Sequence, residues 1–244
     1  MPALKDERAA LRLILRCMRK PPSAISLTPI RRLDRAFFAR SPRVVARELL
    51  GKVLVRQDGS VCIAGRVVEV EAYLGENDPA AHAAAGNTLR NAVLFGPPGF
   101  AYIYFIYGNH YCLNVSCERE GKAGCVLFRA LEPLLGLEEM ARARGVTVRG
   151  PRDLLKLTSG PGRLAEAFGI TRARDNGCDL TSPEHSLPSG KQTSLQFGLW
   201  IGSDGFRARG IRVTPRIGIT KAADRPLRYL LGGNAFVSGR KTPI

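Results

Sequence analysis

From Phe100 to Cys117 the chain reads FAYIYFIYGNHYCLNVSC, two aromatic and β-branched runs on either side of a Gly-Asn pair. Runs of this composition favour extended backbone, and the Gly-Asn step supplies the tight reversal, so the stretch predicts a β-hairpin. A lone hairpin is not stable in water. Further strands are readable in KVLVR, in GRVVEVEAYLG and in CVLFRALEP. In GRVVEVEAYLG, strict alternation puts Val68, Val70 and Ala72 on one face and Glu69, Glu71 and Tyr73 on the other. Two carboxylates and a phenol therefore share one side of a strand.

Helical text lies between these strands. In SPRVVARELLG, Ser41 caps, Pro42 takes the first helical position and Gly51 ends the element. LEPLLGLEEMARARG has helical spacing, with Leu134, Leu137 and Met140 inward and Gly145 as the stop. A further helix starts in LTSGPGRLAEAFGI just after Gly160-Pro161-Gly162, and TPRIGITKAADRPLRYLLGG supplies a strand, a basic loop and a terminal apolar segment. NDPAAHAAAGN reads as turn and loop with one helical turn. There is no βαβ rhythm and no GxGxxG, which excludes a dinucleotide fold. The expected class is α+β: a single domain with a curved, largely antiparallel sheet flanked by helices and a protruding hairpin. Residues 1–30 read as a variable basic extension and 31–244 as the folded domain.

With 244 residues, 45% of them hydrophobic, the chain is long enough to bury a core. Its formal net charge of +16 is uneven: residues 1–50 carry 12 Lys/Arg against 4 Asp/Glu, residues 201–244 carry 9 against 2, and the middle carries 16 against 15. A basic balance concentrated at both ends favours a polyanionic partner. The six cysteines form no C-x-x-C pair, which fits reduced thiols better than a disulfide framework. His110, Cys112, Cys117 and Cys125 lack a usual zinc-ligand spacing, so no metal is expected. No apolar run approaches the roughly 18 to 20 residues of a membrane span.

Aromatic residues crowd the hairpin tip, where Tyr102, Tyr104, Phe105, Tyr107 and Tyr111 gather with His110. They fit either a buried cross-strand ladder or a platform for nucleobases. Glu71 by itself reads as a solvent-facing strand residue; Glu69, Glu76 and Asp78 read as ordinary surface acids, and His110 and His185 as structural hydrogen-bonders. Arg129, inside an apolar run, needs a buried partner, and Glu71 is a credible one. Gly160-Pro161-Gly162-Arg163 ahead of a helix suits a phosphate clamp, although the pattern is common.

EVEAYLGENDPAAH, YIYFIYGNHYCLNVSC, CVLFRALEP and LTSGPGRLAEAFGI, in this order and at these separations, closely resemble the alkyladenine (3-methyladenine) DNA glycosylase family from about Ala36 to Phe236. The resemblance implies a fold similar to a formyltransferase C-terminal domain. It also implies a monomeric, monofunctional hydrolase for base excision repair, acting on double-stranded DNA, which flips alkylated or deaminated purines such as 3-methyladenine and hypoxanthine and leaves an abasic site. By the same resemblance Glu71 is the general base and Arg129 helps hold the attacking water. Tyr73, His82 and Tyr104 sandwich the base, Asn114 discriminates against the exocyclic amine of guanine, and Tyr107 is the wedge. Thr88, Arg90 and Asn91 touch the DNA backbone, joined by Gly162 and Arg163 of the clamp read from the helix start. Asn109 departs from the methionine that many relatives carry after Tyr107-Gly108, which implies a weaker wedge or a different lesion range.

The chemistry of the residues agrees with those roles. A carboxylate stabilises an oxocarbenium-like state while accepting a proton from water, and an alkylated purine already carries the positive charge that lets it leave. A cationic base gains about 0.5 to 2 kcal/mol per aromatic ring by cation–π stacking. No lysine stands within the matched motifs, which argues against a Schiff-base lyase step, and no cofactor is expected. The expected location is the cytoplasm, at the nucleoid, or the nucleus of a eukaryote; no membrane association is expected. Two other readings remain: a non-catalytic nucleic-acid-binding module, for which Glu71 is dispensable, and a formyltransferase-related enzyme, supported by fold analogy alone.

Overall fold

The computed structural model describes residues 30–106, 108, 110–182 and 197–239. The expected N-terminal extension therefore lies almost wholly outside the described residues, as do Tyr107, Asn109 and His185. No helix among the described residues is long and apolar enough to cross a membrane.

One antiparallel sheet organises this single α+β domain. Its strands are β1 (Arg31–Arg32), β2 (Val53–Asp58), β3 (Val61–Tyr73), β4 (Ala101–Ile106), β5 (His110–Ser116), β6 (Cys125–Leu135), β7 (Phe197–Ser203), β8 (Ile211–Thr214) and β9 (Arg228–Leu231). The order is β1-β7-β2-β3-β6-β5-β4, and β9 joins β3 to β8. The central strand β3, 13 residues long, serves three partners. It pairs with β2 through Val61–Arg66, with β9 through Glu69–Glu71, and with β6 along most of its length. Register shifts around Val67, Glu69 and Val70 mark bulges, which bend the strand and curl the sheet.

Period-two alternation then divides the sheet into two chemically different faces. One face carries Val68, Val70 and Ala72 of β3, Val126, Phe128 and Ala130 of β6, Leu113 and Val115 of β5, and Ala101 and Ile103 of β4, all in the main apolar core. Helices α1 (Arg35–Phe38), α2 (Pro42–Leu49), α3 (Leu137–Ala143), α4 (Pro151–Thr158) and α5 (Pro161–Ala167) contribute Phe38, Leu49, Met140, Leu157 and Leu164 to that core. A short α6 follows at Arg172–Asp175. At about 1.5–3 kcal/mol for each fully buried large aliphatic or aromatic side chain, this layer is the main stabilising mass of the fold.

The expected helix and strand starts largely agree with the structure. Pro42 opens α2, with Gly51 just beyond it. The hairpin forms as read, with Gly108 at φ +72 in its turn and Phe105 packed on its partner Tyr111 at 4.9 Å. One boundary needs correction. Leu134 belongs to the end of β6, because the strand continues to Leu135 before Gly136, in the left-handed region at φ +75, turns the chain into α3. Apolar residues at strand and helix spacing overlap there, and a glycine inside the stretch separates them.

Candidate active site

The second face of the sheet is the candidate site. Register places Glu71 opposite Leu127, Leu127 opposite Asn114, and Asn114 opposite Tyr102, a row crossing four strands. At strand spacings of about 4.8 Å, that row spans roughly 14 Å, the width of a pocket floor. Above it lies a cavity of about 500 Å³, in the range of small-molecule sites. Tyr73, His82, Tyr104, Asn114 and Arg129 all line it, and Gly162 and Arg163 border it from the start of α5.

Glu71 sits behind this wall, fully buried. Its Oε1 accepts the Ile217 N–H at 2.8 Å and faces Arg129 at 3.3 Å, while its Oε2 accepts the Tyr73 hydroxyl at 3.0 Å. Burial raises its pKa above the ordinary value, against the pull of Arg129, the Ile217 N–H and the Tyr73 hydroxyl. Each carboxylate oxygen accepts more than one hydrogen bond, so Oε2 retains capacity for a water beside the tyrosine. Burial and the Glu71 charge keep Tyr73 protonated well above its usual range.

His82 and Tyr104 form one aromatic wall, their rings 4.5 Å apart in edge contact. Behind them the Tyr102 hydroxyl lies 2.8 Å from His82 Nδ1. Burial pushes the Tyr102 phenol up to about 12, so it keeps its proton, and the bond to His82 Nδ1 leaves Nε2 as the ring nitrogen free to meet a ligand. Desolvation, aided by the charge of Arg90, lowers the pKa of His82, and the ring is neutral at pH 7. Asn114 donates one amide N–H to the Tyr102 carbonyl at 3.2 Å and accepts the Cys125 thiol at 3.8 Å, an arrangement that fixes which way its amide points.

Several sequence expectations are corrected here. Glu69 is not a surface acid: it is fully buried and accepts Arg129 Nε at 2.9 Å, Arg228 Nε at 2.7 Å, and both the backbone N–H and the hydroxyl of Ser238. Arg129 thus bridges both carboxylates rather than pairing with Glu71 alone. Asp78 is also buried, in a bidentate pair with the buried Arg216, whose guanidinium lies 4.6 Å from the Tyr73 ring centroid. Burial opposes the Asp78 carboxylate, yet Arg216 and the Leu74 and Ala80 N–H groups hold its pKa below the ordinary value. Glu76 is exposed, as expected.

The Asn91 side chain is turned inward, away from solvent. It is buried, and its amide accepts from Thr88 N and Oγ1 and donates to the His82 and Gly86 carbonyls. Its neighbours Thr88 and Arg90 are exposed. Gly162 packs against the His110 ring, where an added Cβ would stand 2.9 Å from His110 Cγ. Arg163 is exposed at the rim. Among the described residues five cysteines are unpaired, and Cys112 and Cys125 line the pocket.

Ile217, Ser238 and the Asp78–Arg216 pair are the residues that sequence reasoning missed. The first two act through a backbone N–H or through a neighbour, contributions with no pattern in the sequence. Asp78 and Arg216 are 138 positions apart, so only folding pairs them.

A curved antiparallel sheet with buried carboxylates and an arginine beneath a tyrosine-lined pocket is the framework of a hydrolytic enzyme. Residues 36–235 match the family model described as methylpurine-DNA glycosylase. The chain belongs to that family, whose members are DNA-repair hydrolases of N-glycosyl bonds in DNA. A provisionally named 3-methyladenine DNA glycosylase of Koribacter versatilis is 58% identical over 216 residues, covering 88% of this chain and 97% of that one. Proteins with the same provisional name from Rhodopseudomonas palustris strain HaA2 and Methanoculleus marisnigri are 49% and 46% identical, covering 84% and 85% of this chain and 90% and 99% of theirs.

Proposed function

We propose that this glycosylase extrudes damaged purines, such as 3-methyladenine and hypoxanthine, from double-stranded DNA, hydrolyses the bond to the sugar with water, and leaves an abasic site. The observation that carries the reading is Glu71: a buried carboxylate of raised pKa, tied to Arg129 and Tyr73, which themselves line a base-sized aromatic pocket.

In this mechanism the flat base lies between Tyr73 and the wall of His82 and Tyr104. Stacking favours an electron-poor purine over its undamaged parent. His82 meets the base with Nε2, its Nδ1 being tied to Tyr102, and Asn114, its amide oriented by Tyr102 and Cys125, excludes an exocyclic amine. Water bound to Glu71 Oε2 and steadied by Arg129 attacks C1′ as the glycosidic bond breaks. Its proton passes to Glu71, and the carboxylate stabilises the developing positive charge on the sugar. Tyr107 fills the vacated stack, a role that rests on the resemblance alone. Arg90 and Arg163 neutralise backbone phosphates. The protein works as a monomer.

A labelled duplex carrying a single hypoxanthine or ethenoadenine tests the reading. Alkali after incubation cleaves the strand at the lesion if the base has been removed. An uncut strand across a panel of alkylated and deaminated purines refutes the proposed lesion class.

A further inference from the structure

Leu89 is 101% exposed, whereas the next most exposed large apolar side chain among the described residues, Leu135, reaches 46%. A single exposed leucine is ordinary on a protein surface. This one stands on a rigid loop. The buried Asn91 amide uses all four of its hydrogen-bonding positions to close the 86–91 segment onto itself and onto His82. The loop is therefore ordered before any ligand arrives, and binding need not order it.

Beside the loop is a second cleft of about 420 Å³, which shares His82 and Tyr102 with the base pocket. Arg90 and Lys221, from segments far apart in sequence, both line it, and no acidic residue does. An apolar tip flanked by cations at the edge of a base pocket has the chemistry of a side chain that enters a groove between base steps while phosphates are held on either side.

We infer that Leu89 is a second DNA-inserting residue, entering the duplex beside the lesion, with Arg90 and Lys221 holding the adjoining phosphodiesters in the neighbouring cleft. The inference rests on the extrusion mechanism proposed above. Two inserting residues on separate elements, the hairpin and this loop, would hold the duplex open from two points.

Because Leu89 touches nothing in the folded protein, Leu89→Ser leaves the melting temperature unchanged. It weakens binding to a hypoxanthine-containing duplex by roughly ten- to a hundredfold, the loss matching one leucine returned to water. A tryptophan placed by Leu89→Trp is quenched on duplex binding through stacking on bases. Lys221→Gln lowers the slope of log affinity against log salt by roughly 0.9, one phosphate contact. Wild-type affinity in Leu89→Ser overturns the inference. So does a change of its oligomeric state with DNA affinity intact, which makes Leu89 a self-association contact instead. The two proposals fail separately: if Glu71→Gln still excises bases while Leu89→Ser binds poorly, the catalytic mechanism falls and the insertion stands. If Leu89→Ser binds normally while Glu71→Gln is inactive, the insertion falls and the catalytic mechanism stands.

Discussion

Glu69 and Glu71 are two residues apart on the same face of the same strand, and both are fully buried. Their surroundings differ in how completely they are satisfied. The Glu69 end of the cluster is closed: two arginines and both donors of Ser238 converge on it, from β6, β9 and the C-terminal segment. Fewer donors reach Glu71. One shared arginine, one backbone N–H and one phenol face it, and its pKa is raised. A carboxylate met by four donors, two of them guanidinium groups, is a structural tie. One buried with fewer donors keeps a lone pair that can still accept a hydrogen bond. Equal burial thus yields a tie in one place and a candidate base two residues away, and donor count is what separates them.

Glu71→Gln, the largest effect expected, tests that distinction most directly. Excision should fall by roughly 10²–10⁴-fold, the usual loss for a general base, while lesion binding and melting temperature persist. Retained turnover, measured under single-turnover conditions on a hypoxanthine duplex, refutes the assignment. Glu69→Gln should act in the opposite manner. It leaves Arg129 and Arg228 with one carboxylate too few, and urea unfolding should show a loss of about 3–5 kcal/mol. Any protein that remains folded should keep measurable turnover.

The pH profile sharpens the contrast further. Glu71 must be ionised to accept a proton, and its raised pKa means that the acid limb of kcat/KM lies above the ordinary glutamate range of about 4.3. Removing the Glu69 charge in Glu69→Gln eases ionisation of Glu71, so the acid limb moves to lower pH; an unmoved limb shows that the two carboxylates do not communicate. The smallest effect is expected from Tyr73→Phe. It deletes one donor that favours the Glu71 anion and shifts the limb upward by less than about one pH unit, at about 1 kcal/mol for the net value of a hydrogen bond. A downward shift contradicts the hydrogen bond as the cause.

Much of this was legible in the chain. Alternation in GRVVEVEAYLG separates Val68, Val70 and Ala72 from Glu69, Glu71 and Tyr73, and the structure keeps that division. The hairpin, the start of α2 at Pro42 and the stop after α3 follow from glycines and a proline, which act locally and so leave a local record, although Ser41 makes no side-chain capping bond. The motifs carrying the resemblance also name most of the residues that surround the pocket.

Burial was not legible. Glu69 and Asp78 look like surface acids because their partners, Arg228 and Arg216, are 159 and 138 positions away. Asn91 looks like a polar loop residue until its four bonds are traced. Strands, their two faces and the chemical types each face presents could be read from the chain, since these depend on neighbours within a few residues. Which charges are satisfied and which stay reactive was settled only on folding, because that depends on how many donors distant segments bring to a buried oxygen.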